Sequence, residues 1–278
     1  MGVVLALGAA VAYGLSDFVG GLASRRTTPW PVAFLAALGG LVGATVVALV
    51  RGGDPAGADL AWGAAAGLGS GAGSVFLYRG LATGRMGVVA PVSAVGAAVL
   101  PVVVGLATGE RPSTLTLVGI VAALPGIWLV ARMPEADPAA QPEHTGFVDG
   151  VLAGLGFGLL FVALGQVPED AGFWPLALAQ GASLVAICLI AAVLRESWVP
   201  TAVSELSGAV AGLIATAAVL MFLLATQSGL LTVAAVLTSL YPAFTILLAA
   251  VVLREHIYRG QGAGLVLCGA AVALVAAG

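Results

Sequence analysis

Asp17 is the residue with the clearest chemical potential in this sequence, because it is a carboxylate inside the apolar stretch GVVLALGAAVAYGLSDF. At helical spacing it shares one face with Tyr13, Ser16, Gly20 and Ser24, which form a polar stripe. A carboxylate in apolar surroundings is costly unless it binds a proton or a positive group. The stripe predicts either a cavity-facing site for a proton or a substrate cation, or a structural acid that caps backbone groups or pairs with an arginine.

Arg79 is the second charged candidate, and it follows Tyr78 near the end of a later apolar stretch. An arginine at such a position either extends its long side chain toward water or turns inward. If it turns inward, it serves as a clamp for an anionic group or as the partner of Asp17. The sequence leaves these alternatives open.

Uncharged polar and aromatic side chains complete the candidate site. Gln180 and Gln227 lie in or at the end of apolar stretches, where an amide either lines a cavity or bonds a neighbouring helix. Tyr241 directly precedes Pro242, and it is a candidate cavity aromatic because a proline bends a helix and frees a backbone carbonyl. The candidate substrate or proton site comprises Tyr13, Ser16, Asp17, Tyr78, Arg79, Gln180, Gln227 and Tyr241.

No catalytic or metal-binding pattern accompanies these residues in the sequence. His144 and His256 fall between apolar stretches, without a cysteine or an acid at metal-ligand spacing. The chain contains no lysine, which excludes the phosphate-binding loop that ends in lysine. Cys188 and Cys268 lie in apolar runs, where small buried side chains are expected. We therefore expect no enzyme activity, no cofactor and no bound metal.

The composition indicates that lipid is the solvent for most of the chain. Of 278 residues, 60% are hydrophobic and 8% are charged, whereas an average soluble domain is about 25% charged. A soluble fold could not bury so much apolar surface, and a disordered chain would be poor in it. The net charge of −3 is scattered, so nucleic acid is not expected as a partner. We expect a monomer or homodimer in the cytoplasmic membrane, with the bilayer, a small-molecule substrate and protons as its partners.

Ten apolar stretches have the length of a membrane-spanning helix, for which a bilayer requires about 20 residues. Most connections between them are so short that consecutive helices must lie side by side and antiparallel. The predicted fold class is therefore an all-α polytopic membrane protein with ten transmembrane helices. The predicted spans are 2–23, 31–50, 60–82, 87–108, 113–131, 147–166, 173–194, 206–227, 230–253 and 259–277.

A polar, proline-rich linker divides the chain into two halves. Residues 132–146 separate a first unit, 1–131, from a second unit, 147–278, and each unit contains five spans. A duplicated unit with an odd number of spans enters the membrane the second time in the opposite orientation, so two inverted five-helix repeats are predicted. At an offset of 145 residues Glu110 corresponds to Glu255. Both open a turn between spans, where we expect each to cap the following helix.

Two glycines stand at equivalent places near the start of each half. Gly14 follows Tyr13, and Gly158 follows Phe157 at an offset of 144 residues. A glycine beside a large side chain lets a second helix approach closely. We therefore expect close helix crossings at both positions.

These features resemble the EamA-type members of the drug/metabolite transporter superfamily over essentially the whole chain. The resemblance is carried by Tyr13–Phe18 (YGLSDF), by Leu240–Glu255 (LYPAFTILLAAVVLRE), and by Glu110 and Glu255, each followed nine residues later by glycine. The sequence departs from the family pattern at Ala97, where a proline is expected. The resemblance implies that the first to fourth and sixth to ninth spans line a cavity, while the fifth and tenth pack peripherally. It also implies export of a small metabolite or drug by alternating access.

Two other functions remain compatible with the sequence. One is a permease for the uptake of a sugar or similar solute. The other is a membrane scaffold or accessory subunit without a substrate. A wet cavity that reaches Asp17 would favour transport, whereas a sealed core would favour the scaffold.

The arginines predict an orientation in the membrane. Arg51 and Arg111 lie in connections on one side of the predicted topology, and seven arginines lie in connections on the other. The excess of positive charge is expected in the cytoplasm, which places both termini outside. The family resemblance instead implies cytoplasmic termini. The seven arginines are Arg25, Arg26, Arg85, Arg132, Arg195, Arg254 and Arg259.

Overall fold

The computed structural model describes residues 1–24, 29–83, 86–132 and 146–278, without the side chains of residues 24, 29, 78, 81–83, 86 and 87. In these ranges, ten spans are long and apolar enough to cross a membrane, which confirms the predicted fold class. The α-helices are α1 (Gly2–Ser24), α2 (Pro29–Arg51), α3 (Gly57–Thr83), α4 (Met86–Ala107), α5 (Thr114–Ala131), α6 (Phe147–Leu164), α7 (Trp174–Leu194), α8 (Ser207–Gln227), α9 (Leu231–Thr238), α10 (Tyr241–Val252) and α11 (Arg259–Ala277), and a short 3-10 helix (Val203–Leu206) precedes α8.

The ninth span is broken, although the sequence predicted one helix over 230–253. It consists of α9 and α10, which are joined by Ser239 and Leu240. Pro242 is the second residue of α10 and has no amide hydrogen, so the helical ladder cannot pass through it. The last turn of α9 tightens instead, and the amide of Leu240 donates to the carbonyl of Leu237 at 3.2 Å.

The main helix contacts pair elements of the first half with elements of the second. Helix α1 packs against α8 and α10, and α6 packs in the same way against α3 and α4. Helix α2 contacts α7 and α8, and α3 contacts α7. Helices α5 and α11 pack mainly against each other. The eight other transmembrane segments surround the centre of the bundle.

Close helix crossings occur at the two glycines that the sequence singled out. A Cβ atom on Gly14 would lie 2.6 Å from the Cβ of Phe244 in α10. A Cβ atom on Gly158 would lie 2.7 Å from the Cβ of Leu100 in α4. Separations this short do not occur between real side chains, so both crossings require glycine.

The connections lie on two faces of the bundle. Because the number of spans is even, both ends of the chain reach one face, where Gly2 lies near Ser228 and Gly278 lies near Ser113. We call this the terminal face, and it also carries the connections 52–56, 108–113, 165–173 and 228–230. The opposite face, called the linker face, carries the ends of the long linker and the connections 195–206 and 253–258.

We predict that the linker face is cytoplasmic. Arg132, Arg195, Arg254 and Arg259 lie at that face, while Arg25, Arg26 and Arg85 lie outside the described residues. A topology reporter fused after Gly278 should then be active only outside the cytoplasm. In a variant without the two native cysteines, a cysteine at position 139, also outside the described residues, should be protected from impermeant thiol reagents in intact cells. A cytoplasmic C-terminal reporter would contradict the arginine count and favour the topology that the family resemblance implies.

Candidate functional site

A cavity of about 190 Å³ occupies the centre of the bundle. It is lined by residues of α1, α2, α3, α4, α6, α7, α8 and α10. Most of its wall is apolar, as is usual for small-molecule sites. The polar residues among its lining are Tyr13, Ser16, Asp17, Ser70, Ser74, Gln180, Ser183 and Tyr241.

The cavity extends from the middle of the bundle toward the linker face. Asp17, Ala33, Leu77, Ile187 and Gly212 line it, and each lies in the half of its own helix that is nearer the linker face. Tyr13 and Tyr241 line it near mid-membrane. A solute entering from the linker face would therefore meet Asp17 before it met the two tyrosine rings.

The terminal face is bridged by contacts between the two halves. The carboxylate of Glu110 accepts hydrogen bonds from the backbone amides of Leu231 and Thr232, the second at 3.0 Å. The amide of Asp54 donates to the carbonyl of Asp170 at 3.3 Å, which joins the α2–α3 and α6–α7 connections. These bonds bridge the two halves at the end of the bundle that lies opposite the cavity.

Glu110 caps a different helix from the one expected. The sequence predicted a cap for the following helix, but Ser113 caps α5, its Oγ accepting from the amide of Thr116 at 3.1 Å. Glu110 instead caps α9, from the other half of the chain. The carboxylate satisfies two amides that have no partner within α9 and faces the positive end of that helix.

Glu110→Gln is expected to lower the stability of the folded protein by about 1–3 kcal/mol, because the negative charge is lost and one of the two amides faces an NH2 group in place of an acceptor oxygen. Thermal unfolding in detergent measures the effect. Glu169→Gln is the matched control, since Glu169 is exposed in the α6–α7 connection on the same face. Equal unfolding midpoints for the two variants would show that the Glu110 cap contributes nothing to stability.

Asp17 faces the cavity beside an aromatic cluster. Its side chain is exposed and lines the cavity together with Tyr13 and Tyr241. The rings of Tyr13 and Tyr241 have centroids 6.1 Å apart, and Tyr13 meets Phe161 edge-on at 6.4 Å. The hydroxyl of Tyr13 is buried and makes no hydrogen bond with the described residues. The site thus combines one carboxylate with two tyrosines, and the hydroxyl of one of these, Tyr13, has no hydrogen-bond partner among the described residues.

Ser16 and Gln180 line the cavity and also hold helices together. The hydroxyl of Ser16 donates to the carbonyl of Ala211 in α8 at 2.9 Å. The side-chain amide of Gln180 donates to the hydroxyl of Thr216 at 3.4 Å, and Thr216 donates to the carbonyl of Gly40 at 3.1 Å. Both alternatives weighed for Gln180, cavity lining and interhelical bonding, therefore apply at once.

Arg79 is paired with Asp149 and is not among the residues that line the cavity. Its Nε donates to Asp149 Oδ1 at 2.9 Å, and its guanidinium lies 4.9 Å from the centre of the Phe76 ring. Asp149 is in the first turn of α6 and is not one of the candidate residues predicted from the sequence. The sequence did contain a signal for Asp149 as the partner of an arginine, because an acid in an otherwise apolar span requires a positive partner.

Two other residues predicted from the sequence are not among the described residues that line the cavity. Gln227 is at the terminal face, where its side-chain amide donates to the carbonyls of Val167 at 3.4 Å and Pro168 at 3.3 Å. The side chain of Tyr78 lies outside the described residues. The structure therefore brings together Tyr13, Ser16, Asp17, Gln180 and Tyr241.

A solved structure and a protein-family model both match nearly the whole chain. The model of the EamA-like transporter family matches the chain twice, over residues 1–132 and 145–277. A solved protein described only as "Crystal structure of protein" superimposes with a TM-score of 0.72, over 99% of this chain and 96% of its own, at 19% sequence identity. No curated protein matches the chain in sequence. The chain therefore belongs to the EamA-like transporter family, and it is a multi-pass membrane transporter of the drug/metabolite superfamily.

Proposed function

We propose that the protein is a secondary transporter that exports a small metabolite or drug across the cytoplasmic membrane by alternating access. The observation that carries this proposal is the central cavity, which extends toward the linker face while the terminal face is bridged by Glu110. Such a cavity is what one of the two states of an alternating-access cycle requires. It also weighs against a scaffold without a substrate, for which a sealed core was expected.

The second part of the proposal is that residues 1–131 and 147–278 are inverted repeats. Three observations support it. The family model matches each half separately. In the two halves α1 corresponds to α6, α3 to α8, and α4 to the span formed by α9 and α10. The contacts of α1 with α8 and α10 are therefore matched by the contacts of α6 with α3 and α4. The crossing of Gly14 with Phe244 has its counterpart in the crossing of Gly158 with Leu100, at offsets of 144 residues in both positions. The opposite-facing state would then arise when the halves exchange their conformations.

The third part of the proposal is that protons drive transport through Asp17. A carboxylate in a membrane-embedded cavity is tolerated when it holds a proton or a positive partner. The other titratable groups that line the cavity in the described structure are Tyr13 on the same helix and Tyr241 on α10. The residues that α2 and α8 contribute to the cavity wall carry no charge. A proton and a substrate would therefore compete for one carboxylate.

A flux assay in proteoliposomes tests the proposed function. Purified protein is reconstituted and offered amino acids, sugars and cationic dyes, each with and without a pH gradient. We expect one of these classes to cross the membrane faster than in protein-free vesicles, and its flux to respond to the gradient. Flux that ignores the gradient would remove proton coupling, and flux at the protein-free rate for every class would favour the scaffold.

A further inference from the structure

We infer that the cavity takes a small organic monocation, bound through its amine or ammonium group at Asp17 with its apolar body against the aromatic rings. This inference rests on the proposed transport function and names the class of substrate. It follows from the charges, the rings and the size of the cavity.

The charge of the cavity selects the sign of the ligand. Among the described residues that line it, Asp17 is the one that carries a formal charge. Arg79, the arginine considered as an anion clamp, is held by Asp149 and is not part of the lining. An anion would therefore meet a carboxylate of the same sign and find no described cation to balance it, and desolvation would raise that cost. One carboxylate also matches one positive charge, which disfavours diamines.

The aromatic residues select the character of the cation. Tyr13, Phe157, Phe161 and Tyr241 all line the cavity. Their ring faces attract an alkylated ammonium group and also pack against an apolar body, whereas a small metal ion prefers a shell of oxygen ligands. Tyr13 and Tyr241 are tilted by 53° with respect to each other, so they form an angled wall beside the carboxylate.

The remaining hydrogen-bonding groups suggest one further contact. The hydroxyl of Ser16 and the amide of Gln180 are already bonded to neighbouring helices. The hydroxyl of Tyr13 is buried and unpartnered among the described groups. A polar group of the ligand would supply the missing partner when the ring turned its hydroxyl toward the open part of the cavity. At about 190 Å³ the cavity is suited to a compact ligand of this kind.

The test is a matched series of four compounds with the same ring, measured by calorimetric titration of the detergent-solubilised protein. They are 2-phenylethylammonium, the anion phenylacetate, the zwitterion phenylalanine and the neutral 2-phenylethanol. We expect 2-phenylethylammonium to bind at least about tenfold more tightly than each of the others, a difference of about 1.4 kcal/mol. Equal or tighter binding of any of the other three, or no binding of the ammonium compound, would overturn the inference.

Variants locate the binding site without depending on a single mutation. Asp17→Asn should weaken binding of 2-phenylethylammonium by at least about tenfold. Tyr241→Leu keeps the carboxylate and should weaken binding several-fold, because one ring face is lost. Asp170→Asn is the matched control, since Asp170 is exposed on the terminal face, and it should bind like the wild type. Unchanged binding in both cavity variants would place the ligand elsewhere and reject the assignment.

Binding and flux separate the inference from the proposed function. If 2-phenylethylammonium binds selectively but no solute crosses proteoliposomes, transport fails while the ligand class stands. If a sugar or an amino acid crosses and the ammonium compound does not bind, transport stands and the ligand class is wrong.

Discussion

Asp17→Asn is expected to abolish pH-driven flux and to leave assembly largely intact. Asparagine keeps the shape of the side chain and can still form hydrogen bonds, but it can neither release a proton nor attract a cation. Because Asp17 lines the cavity beside Tyr13 and Tyr241, its loss removes the one carboxylate described in the cavity wall. We expect the flux of the identified substrate to fall by at least about tenfold, measured in proteoliposomes between about pH 5.5 and pH 8.

Two other variants separate loss of charge in the cavity from loss of charge elsewhere. Asp170→Asn removes an exposed carboxylate on the terminal face and should leave the pH profile unchanged. Arg79→Gln removes the partner of Asp149 and should lower stability more than it changes the pH profile, since Arg79 does not line the cavity. Flux in Asp17→Asn that keeps the wild-type magnitude and pH dependence would show that Asp17 does not couple protons to transport.

Gly14→Leu is expected to cause a large loss of folded protein. A Cβ atom at this position would lie 2.6 Å from the Cβ of Phe244 and 2.9 Å from the carbonyl oxygen of Tyr241. The second atom belongs to the backbone of α10, so the whole helix would have to move. Overpacking of this kind costs about 1–3 kcal/mol or more. The yield of monodisperse protein in detergent and its unfolding midpoint measure the effect.

Gly21→Leu is the matched control for this prediction. Gly21 is in the same helix and is exposed, and a Cβ atom added to it would have none of the described neighbouring atoms within 4 Å. It should therefore accept leucine with little change in yield. Gly158→Leu should resemble Gly14→Leu, because its Cβ would lie 2.7 Å from that of Leu100. Similar yields for all three variants would show that the crossings are not tight in solution.

The sequence predicted the number of spans from local composition and the family from short motifs and their spacing. Ten apolar stretches of sufficient length are visible without knowing which helices touch. The stripe on α1 marked Asp17 as a candidate while leaving a structural role open, and Pro242 marked Tyr241 as a candidate; both residues line the cavity. These residues carry their signal within a few positions along the chain.

The sequence could not predict partners that come from distant parts of the chain. Arg79 had several possible partners, and the choice of Asp149 depends on how α3 packs against α6. The cap made by Glu110 on α9 joins residues more than one hundred positions apart. Helical periodicity gives the face of a residue but not the helix that it meets.

The break between α9 and α10 divides the ninth span into two helical segments with separate anchoring contacts. The first turn of α9, at the terminal face, is bonded to Glu110. At the other end of α9, Thr238 donates to the carbonyl of Ala6 in α1 at 3.4 Å. On the linker side α10 rests on α1, where Thr245 donates to the carbonyl of Gly14 at 3.3 Å. Because no continuous ladder of helical hydrogen bonds joins α9 to α10, a tilt of α10 about Ser239 and Leu240 would not require α9 to unwind. The joint lies at mid-membrane beside Tyr241, the residue through which α10 contributes to the described cavity wall.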